Sequence, residues 1–142
     1  MIVLLATILP SVLLIFYFVR SDKFQEPTFQ ILKIFFFGIL ITVPAFFINT
    51  YLSIFLETNT NISEPLIGSF LTAAPVEEGL KFFILFYFVY RMKDFNEPVD
   101  GIVYGVSVSL GFATLENIYY VYVLPDYFET TSLSLAVLRA FS

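Results

Sequence analysis

Long apolar segments alternate with short polar loops along the 142 residues of this chain. A helix needs about 20 apolar residues to cross a hydrocarbon core about 30 Å thick. The pattern predicts four full transmembrane helices and the start of a fifth, near residues 2–19, 34–56, 66–90, 101–124 and 133–142. We therefore expect an all-α, polytopic transmembrane helix bundle. We also expect a single domain over residues 1–142, truncated at the C-terminus.

The composition supports a membrane protein. Hydrophobic residues make up 58% of the chain and charged residues 13%, whereas a soluble domain of this size needs more polar surface. The sequence contains no cysteine and no histidine, which excludes disulfides, thiolate metal sites and histidine bases within these residues. The net charge is −5, and without a basic face no nucleic-acid partner is expected.

The basic residues in the loops predict an orientation. Lys and Arg are concentrated around residues 20–33 and 91–100, whereas the loops at 57–64 and 125–132 contain none. Because Lys and Arg favour the cytoplasmic side of a membrane, we expect the two basic loops to be cytoplasmic. The N-terminus then lies outside.

Charged and polar residues interrupt two of the predicted spans. Glu77, Glu78 and Lys81 lie in the third span, and Glu116 and Asn117 lie in the fourth. Placing an ionised group near the centre of a transmembrane helix costs roughly 2.5–3.5 kcal/mol on insertion scales. Such a group therefore usually has an interaction partner or a function. Glu77 and Lys81 are four residues apart in the favourable order for an ion pair. Such a pair would leave Glu78 without a partner of its own.

The depths of these groups predict that they meet. At a rise of 1.5 Å per residue, Glu77 and Glu78 lie about 18 Å below the outer start of the third span. By the same rise, Glu116 lies about 13 Å below the outer end of the fourth span, and Arg139 lies about 10 Å below that surface. These ionisable groups are therefore expected in one layer between the midplane and the outer face.

The chemistry of such a cluster remains open at this point. A buried glutamate can act as a general base on water. A pair of ionised glutamates can instead hold a divalent cation that lowers the pKa of bound water. The same groups also fit a proton- or cation-coupled membrane carrier, or a non-catalytic subunit in which they join helices.

Two stretches resemble the motifs of a known family. "APVEEGLKFF" resembles the EExxK motif of the PrsW family of intramembrane proteases, and "EPVDGIVYGVSVSLGFATLEN" resembles its DGxxYG and GFAxxEN motifs. That family is distantly similar to the CAAX prenyl endopeptidases. The resemblance covers residues 73–117 and implies an integral protein of a prokaryotic cell membrane. It implies cleavage of single-pass membrane proteins, such as an anti-sigma factor, near the extracytoplasmic side of the lipid bilayer.

The resemblance also implies roles for individual residues. The positions that match the family's catalytic groups are Glu77, Glu78, Glu116 and Asn117. Lys81 and Arg139 match supporting positions, and a divalent metal such as zinc would be held by Glu78 and Glu116. The family's third motif has a His after the Arg, and the chain ends where that His is expected. The 142 residues alone are therefore expected to be an inactive part of a metalloprotease.

Overall fold

The computed structural model describes residues 2–21, 26–59 and 71–122. This part of the chain is helical and contains no strand, which confirms the all-α prediction. Its elements are α1 (Ile2–Ser21), α2 (Thr28–Asn59), α3 (Ala73–Ile84) with a π-helical continuation (Leu85–Val89), and α4 (Pro98–Tyr122). The predicted fifth segment, including Arg139, lies outside the described residues.

Two of these helices are long and apolar enough to cross a membrane. They are Thr28–Leu56 within α2 and Pro98–Tyr122, the whole of α4. α1 contributes a shorter apolar stretch, Ile8–Arg20. Of the predicted third span, the structure describes α3 and its π-helical continuation, which together are shorter than a full span. The prediction of four full spans is therefore confirmed only for the second and fourth.

The exposed side chains of α2 distinguish it from the core helix of a soluble protein. Phe29, Phe47 and Tyr51 are 75%, 67% and 70% exposed. A core helix would bury such side chains, whereas a helix that faces lipid leaves them on the surface. The exposed aromatic residues therefore support insertion of α2 in a bilayer.

Both spanning helices begin earlier than predicted. α2 begins at Thr28, directly after Pro27, and α4 begins at Pro98. Proline suits the start of a helix because the N–H that it lacks would have no partner there. Pro27 therefore precedes a helix and Pro98 begins one, and the predicted loops 20–33 and 91–100 are shorter in the structure.

α2 and α4 approach each other most closely at two glycines. A Cβ atom at Gly111 would collide with the main-chain carbonyl of Phe35, and one at Gly38 would collide with the carbonyl of Val108. Small residues at such a crossing let two helix backbones approach each other within a membrane. This Gly38–Gly111 crossing divides the helix pair into two ends.

The two helices run parallel. Near their N-termini, the Tyr104 hydroxyl donates a hydrogen bond to Glu26. Farther along, the Phe46 and Tyr119 rings contact each other at 5.2 Å between centroids. The segments that precede α2 and α4 therefore lie on the same side of the bundle, as the basic loops require. That this side is cytoplasmic stays a prediction.

Candidate functional site

A cavity of about 720 Å³ lies between α2, α3 and α4, on the C-terminal side of the Gly38–Gly111 crossing along α2 and α4. Most of its lining is apolar. The polar and charged side chains that line it include Thr42, Asn49, Thr50, Ser53, Glu77 and Glu116. The cavity therefore brings together one glutamate from the EExxK segment and the glutamate of the GFATLEN segment.

Glu77 is held from α2. The Asn49 side-chain Nδ2 donates a hydrogen bond to Glu77 Oε1 at 3.2 Å. Asn49 belongs to neither motif, and the sequence analysis did not identify it. A signal was present, because Thr42, Asn49 and Ser53 are spaced by seven and four residues and so share one face of α2.

The expected ion pair forms with the other glutamate. Lys81 Nζ lies 2.8 Å from Glu78 Oε1, and the Glu78 side chain is 72% exposed. On a helix, Lys81 can reach a partner three or four residues earlier, and Glu77 already accepts the bond from Asn49. The prediction of a Glu77–Lys81 pair with a partnerless Glu78 is therefore wrong. Glu78 lies outside the cavity lining.

Lys81 also joins the two motif segments. Its Nζ lies 4.5 Å from the centroid of the Phe112 ring on α4, and the Lys81 side chain is only 14% exposed. A cation over an aromatic face is attracted by the ring's electrons, and the attraction is stronger away from water. Lys81 thus fixes α3 against α4 next to the cavity, to which Phe112 also contributes.

The remaining predicted site residues have different placements. Glu116 lines the cavity and interacts electrostatically with Glu77. Asn117 follows it in α4 and is partly buried. Arg139 lies outside the described residues. The catalytic assignments of all these residues stay predictions.

The described residues do not form a complete metal site. None of their His, Cys, Asp and Glu side chains form a group of three or more that could hold a metal ion. Catalytic zinc usually takes three protein ligands, whereas the cavity lining supplies the carboxylates of Glu77 and Glu116. Of the predicted metal pair, Glu116 lies in the cavity and Glu78 is bonded to Lys81. We therefore assign no chemical step to a metal.

A second group of buried polar residues lies at the other end of the helix pair. Glu26, Asp100 and Tyr104, which we call the N-terminal clasp, are 7%, 2% and 0% exposed. Asp100 Oδ2 accepts hydrogen bonds from the main-chain N–H groups of Asn96 at 2.8 Å and Glu97 at 2.7 Å. A side chain in the first helical turn that reaches back in this way satisfies donors at the helix start. The DGxxYG segment therefore contributes to the fold.

Burial raises the pKa of Glu26 above its ordinary value of 4.5. The hydrogen bond from Tyr104 partly offsets this effect, because it stabilises the charged form. The neighbouring carboxyl groups of Asp100 and Asp94 raise the pKa further. The clasp therefore favours a protonated Glu26 over a wider pH range than an exposed glutamate would show.

Comparison with known proteins identifies similar chains. The model of the PrsW family intramembrane metalloproteases matches residues 26–142. Protease PrsW of Geobacillus kaustophilus is 44% identical over 116 residues, which cover 81% of this chain and 50% of that protein. Protease PrsW of Bacillus subtilis is also 44% identical over 116 residues, covering 81% and 51%. That of Clostridioides difficile is 34% identical over 119 residues, covering 83% and 50%.

The chain thus spans about half the length of these relatives. No solved structure matches it.

Proposed function

Because this chain belongs to the PrsW family of intramembrane metalloproteases, we propose that it contributes to an intramembrane endopeptidase whose substrates are single-pass membrane proteins, such as an anti-sigma factor. One observation carries the proposal. Glu77 and Glu116, from two separate motifs, line the same cavity next to two membrane-spanning helices. Their predicted depth favours cleavage near the extracytoplasmic side.

Glu77 is the proposed general base. It takes a proton from a water molecule in the cavity while the water oxygen bonds to the carbonyl carbon of the substrate peptide. The proton then passes to the peptide nitrogen as the C–N bond breaks, and Glu77 returns to its ionised form. Because Asn49 already donates to one oxygen of Glu77, the carboxylate has a fixed orientation for this transfer.

Glu116 and Asn117 have supporting roles in this mechanism. Glu116 supplies the second carboxylate of the cavity, which orients water or the leaving group. Asn117, the predicted donor to the negative oxygen of the substrate carbonyl, lies outside the cavity lining, so its proposed role is to support Glu116 from the next position of α4. Glu78 acts indirectly in this scheme, since its bond to Lys81 helps to fix α3 beside α4.

The test compares substrate cleavage by the full-length gene product and its glutamine variants. The protein is co-expressed with a panel of tagged single-pass membrane proteins, and the cleaved fraction is measured by immunoblot. We expect Glu77→Gln and Glu116→Gln to lower cleavage by about 100-fold or more, because glutamine keeps the size but cannot take the proton.

Glu97→Gln is the matched control. Glu97 contributes its main-chain N–H to Asp100, and the substitution leaves that group in place, so cleavage should remain at the wild-type level. Unchanged cleavage in both cavity variants would contradict the glutamate mechanism. If the wild-type protein cleaves none of the substrates but conducts ions in liposomes, the carrier hypothesis replaces it.

A further inference from the structure

Asn49 contributes to the cavity from a helix that carries neither motif. It lies on α2, and its side chain reaches across to α3, where Nδ2 donates to Glu77 Oε1 at 3.2 Å. Other polar side chains of the same helix are bonded within α2. The hydroxyls of Thr42 and Thr50 donate to the carbonyls of Gly38 and Phe46, one turn earlier. Asn49 therefore differs from Thr42 and Thr50, because its side chain bonds to Glu77 on another helix.

The other polar atom of Asn49 has an unusual environment. Its Oδ1 is buried, and no group among the described residues donates a hydrogen bond to it. A buried acceptor without a partner destabilises the fold, so such atoms are rare in folded proteins. Asn49 lines the cavity beside Glu77, so a small rotation of its side chain would expose Oδ1 to a donor that enters the cavity.

The bond between the two side chains decides which donor fits. The Nδ2 bond fixes two acceptors next to each other, the Glu77 carboxylate and Asn49 Oδ1. A water molecule has two O–H groups and can donate to both at once, whereas a peptide N–H can donate to only one of them. Water held by both acceptors keeps its oxygen lone pairs free to attack a carbonyl carbon.

We propose that Asn49 is a positioning residue, which holds the Glu77 carboxylate through Nδ2 and orients the attacking water through Oδ1. The inference rests on the proposed protease function. In the chemical step, one water proton moves to Glu77 and the water oxygen bonds to the substrate carbonyl carbon. The second O–H remains bonded to Asn49 Oδ1 and stays on the new hydroxyl group.

The test measures kcat and KM for the purified full-length gene product with one single-pass substrate in detergent micelles. Asn49→Leu removes both polar atoms at similar size. We expect kcat to fall about 100-fold, since a small misplacement of reacting groups can cost that much. KM should stay within about twofold, because Asn49 contacts the water and Glu77 in this scheme and not the substrate. Thr58→Val, which removes a hydroxyl bonded to the Ile54 carbonyl within α2 and lies outside the cavity lining, is the matched control and should keep the wild-type kcat.

A second substitution covers the case in which Asn49→Leu does not fold. Asn49→Asp preserves the volume and the acceptor oxygen but removes the donor to Glu77. We expect kcat to fall at least about tenfold, since binding the substrate is unaffected and only the base is misplaced.

Three results would overturn the inference. They are a wild-type kcat for Asn49→Asp, a wild-type kcat for Asn49→Leu, and a rise in KM at constant kcat. The last would mean that Oδ1 binds the substrate rather than water. Glu77→Gln is measured in parallel. If Glu77→Gln is inactive and the Asn49 variants are not, the inference alone fails. If Glu77→Gln is active, the proposed function fails with it.

Discussion

The two ends of the α2–α4 pair both contain carboxyl groups, which are buried in the N-terminal clasp and partly buried in the cavity. The hydrogen bonding around them differs. In the N-terminal clasp, Glu26 accepts a bond from the Tyr104 hydroxyl, and Asp100 accepts two main-chain N–H bonds. In the cavity, Asn49 Oδ1 is buried and receives no bond from the described residues. Buried acceptors without a partner are few in folded proteins, and each needs an explanation. Gln30 Oε1, near the clasp, is the other such atom among the described residues, but only Asn49 lines the cavity.

The contrast separates two measurable properties. Substitutions in the cavity should change activity with little effect on stability. Substitutions in the clasp should change stability and leave the activity of the folded fraction unchanged.

The largest effect is expected at Glu116, where a substitution should lower activity but not stability. The substitution Glu116→Gln should lower cleavage by about 100-fold or more without lowering Tm, because an active-site charge is retained for chemistry and often costs stability. Cleavage and thermal unfolding in detergent are measured on the same preparation. A Tm that falls in parallel with activity would assign Glu116 to the fold and remove the contrast.

The next largest effect is expected at the Gly38–Gly111 crossing, which lies between the N-terminal clasp and the cavity. In the variant Gly111→Ala, the new methyl group collides with the main-chain carbonyl of Phe35. A backbone atom cannot rotate away as a side chain can, so α2 and α4 must separate. We expect a loss of about 1–3 kcal/mol in the free energy of unfolding, measured as a lower Tm.

The control for this variant is the same substitution at Gly79. No atom lies within 4 Å of a Cβ atom at Gly79, and alanine favours a helix over glycine by about 0.5–1 kcal/mol. Gly79→Ala should therefore keep or raise Tm. Equal decreases in Tm for Gly79→Ala and Gly111→Ala would show that α2 and α4 are not in close contact at Gly111.

The sequence predicted more of the site than of the packing around it. The apolar length of α2 and α4 identified the two confirmed spans, and the family motifs directed attention to Glu77 and Glu116. Periodicity gives the face of a helix on which a residue lies, but not which neighbour its side chain selects. For that reason the pairing of Lys81 with Glu78 was not predicted.

Contacts that are distant in the sequence were also missed. Glu26 and Tyr104 are 78 residues apart, and nothing in either segment indicates the other. Asn49 was missed because one asparagine in an apolar helix has no motif around it. Its importance appears only when α3 places Glu77 next to it. Such pairings depend on how helices pack, which a single sequence does not reveal.

A smaller effect tests the hydrogen bond of the clasp. Tyr104→Phe removes the hydroxyl that donates to Glu26 and leaves the rest of the buried ring in place. An acceptor that loses its buried partner costs about 1–3 kcal/mol. We expect the lower end of that range, because Glu26 also interacts with Asp100. Tm should fall, while kcat per folded molecule stays at the wild-type value. A reduced kcat at unchanged Tm would mean that the clasp affects the catalytic geometry of the cavity.

The smallest effect is the pH dependence of stability at Glu26. Its pKa is raised from 4.5 in the folded protein, so the folded state holds this proton more tightly than the unfolded state. The contribution of Glu26 to stability is therefore complete below pH 4.5 and is lost as the pH rises through the raised pKa. Glu26→Gln can still accept the Tyr104 bond but cannot ionise, so its stability should not show this decline.

The measurement compares Tm for the wild type and Glu26→Gln from about pH 4 to about pH 8, the range in which a raised carboxyl pKa would titrate. Titrating groups distant from Glu26 affect both proteins equally, so the difference between the curves reports Glu26 together with its neighbours Asp94 and Asp100. The wild-type curve should fall relative to the variant as the pH rises. Parallel curves would mean that Glu26 is already ionised in the folded protein, and the clasp would then not favour its protonated form.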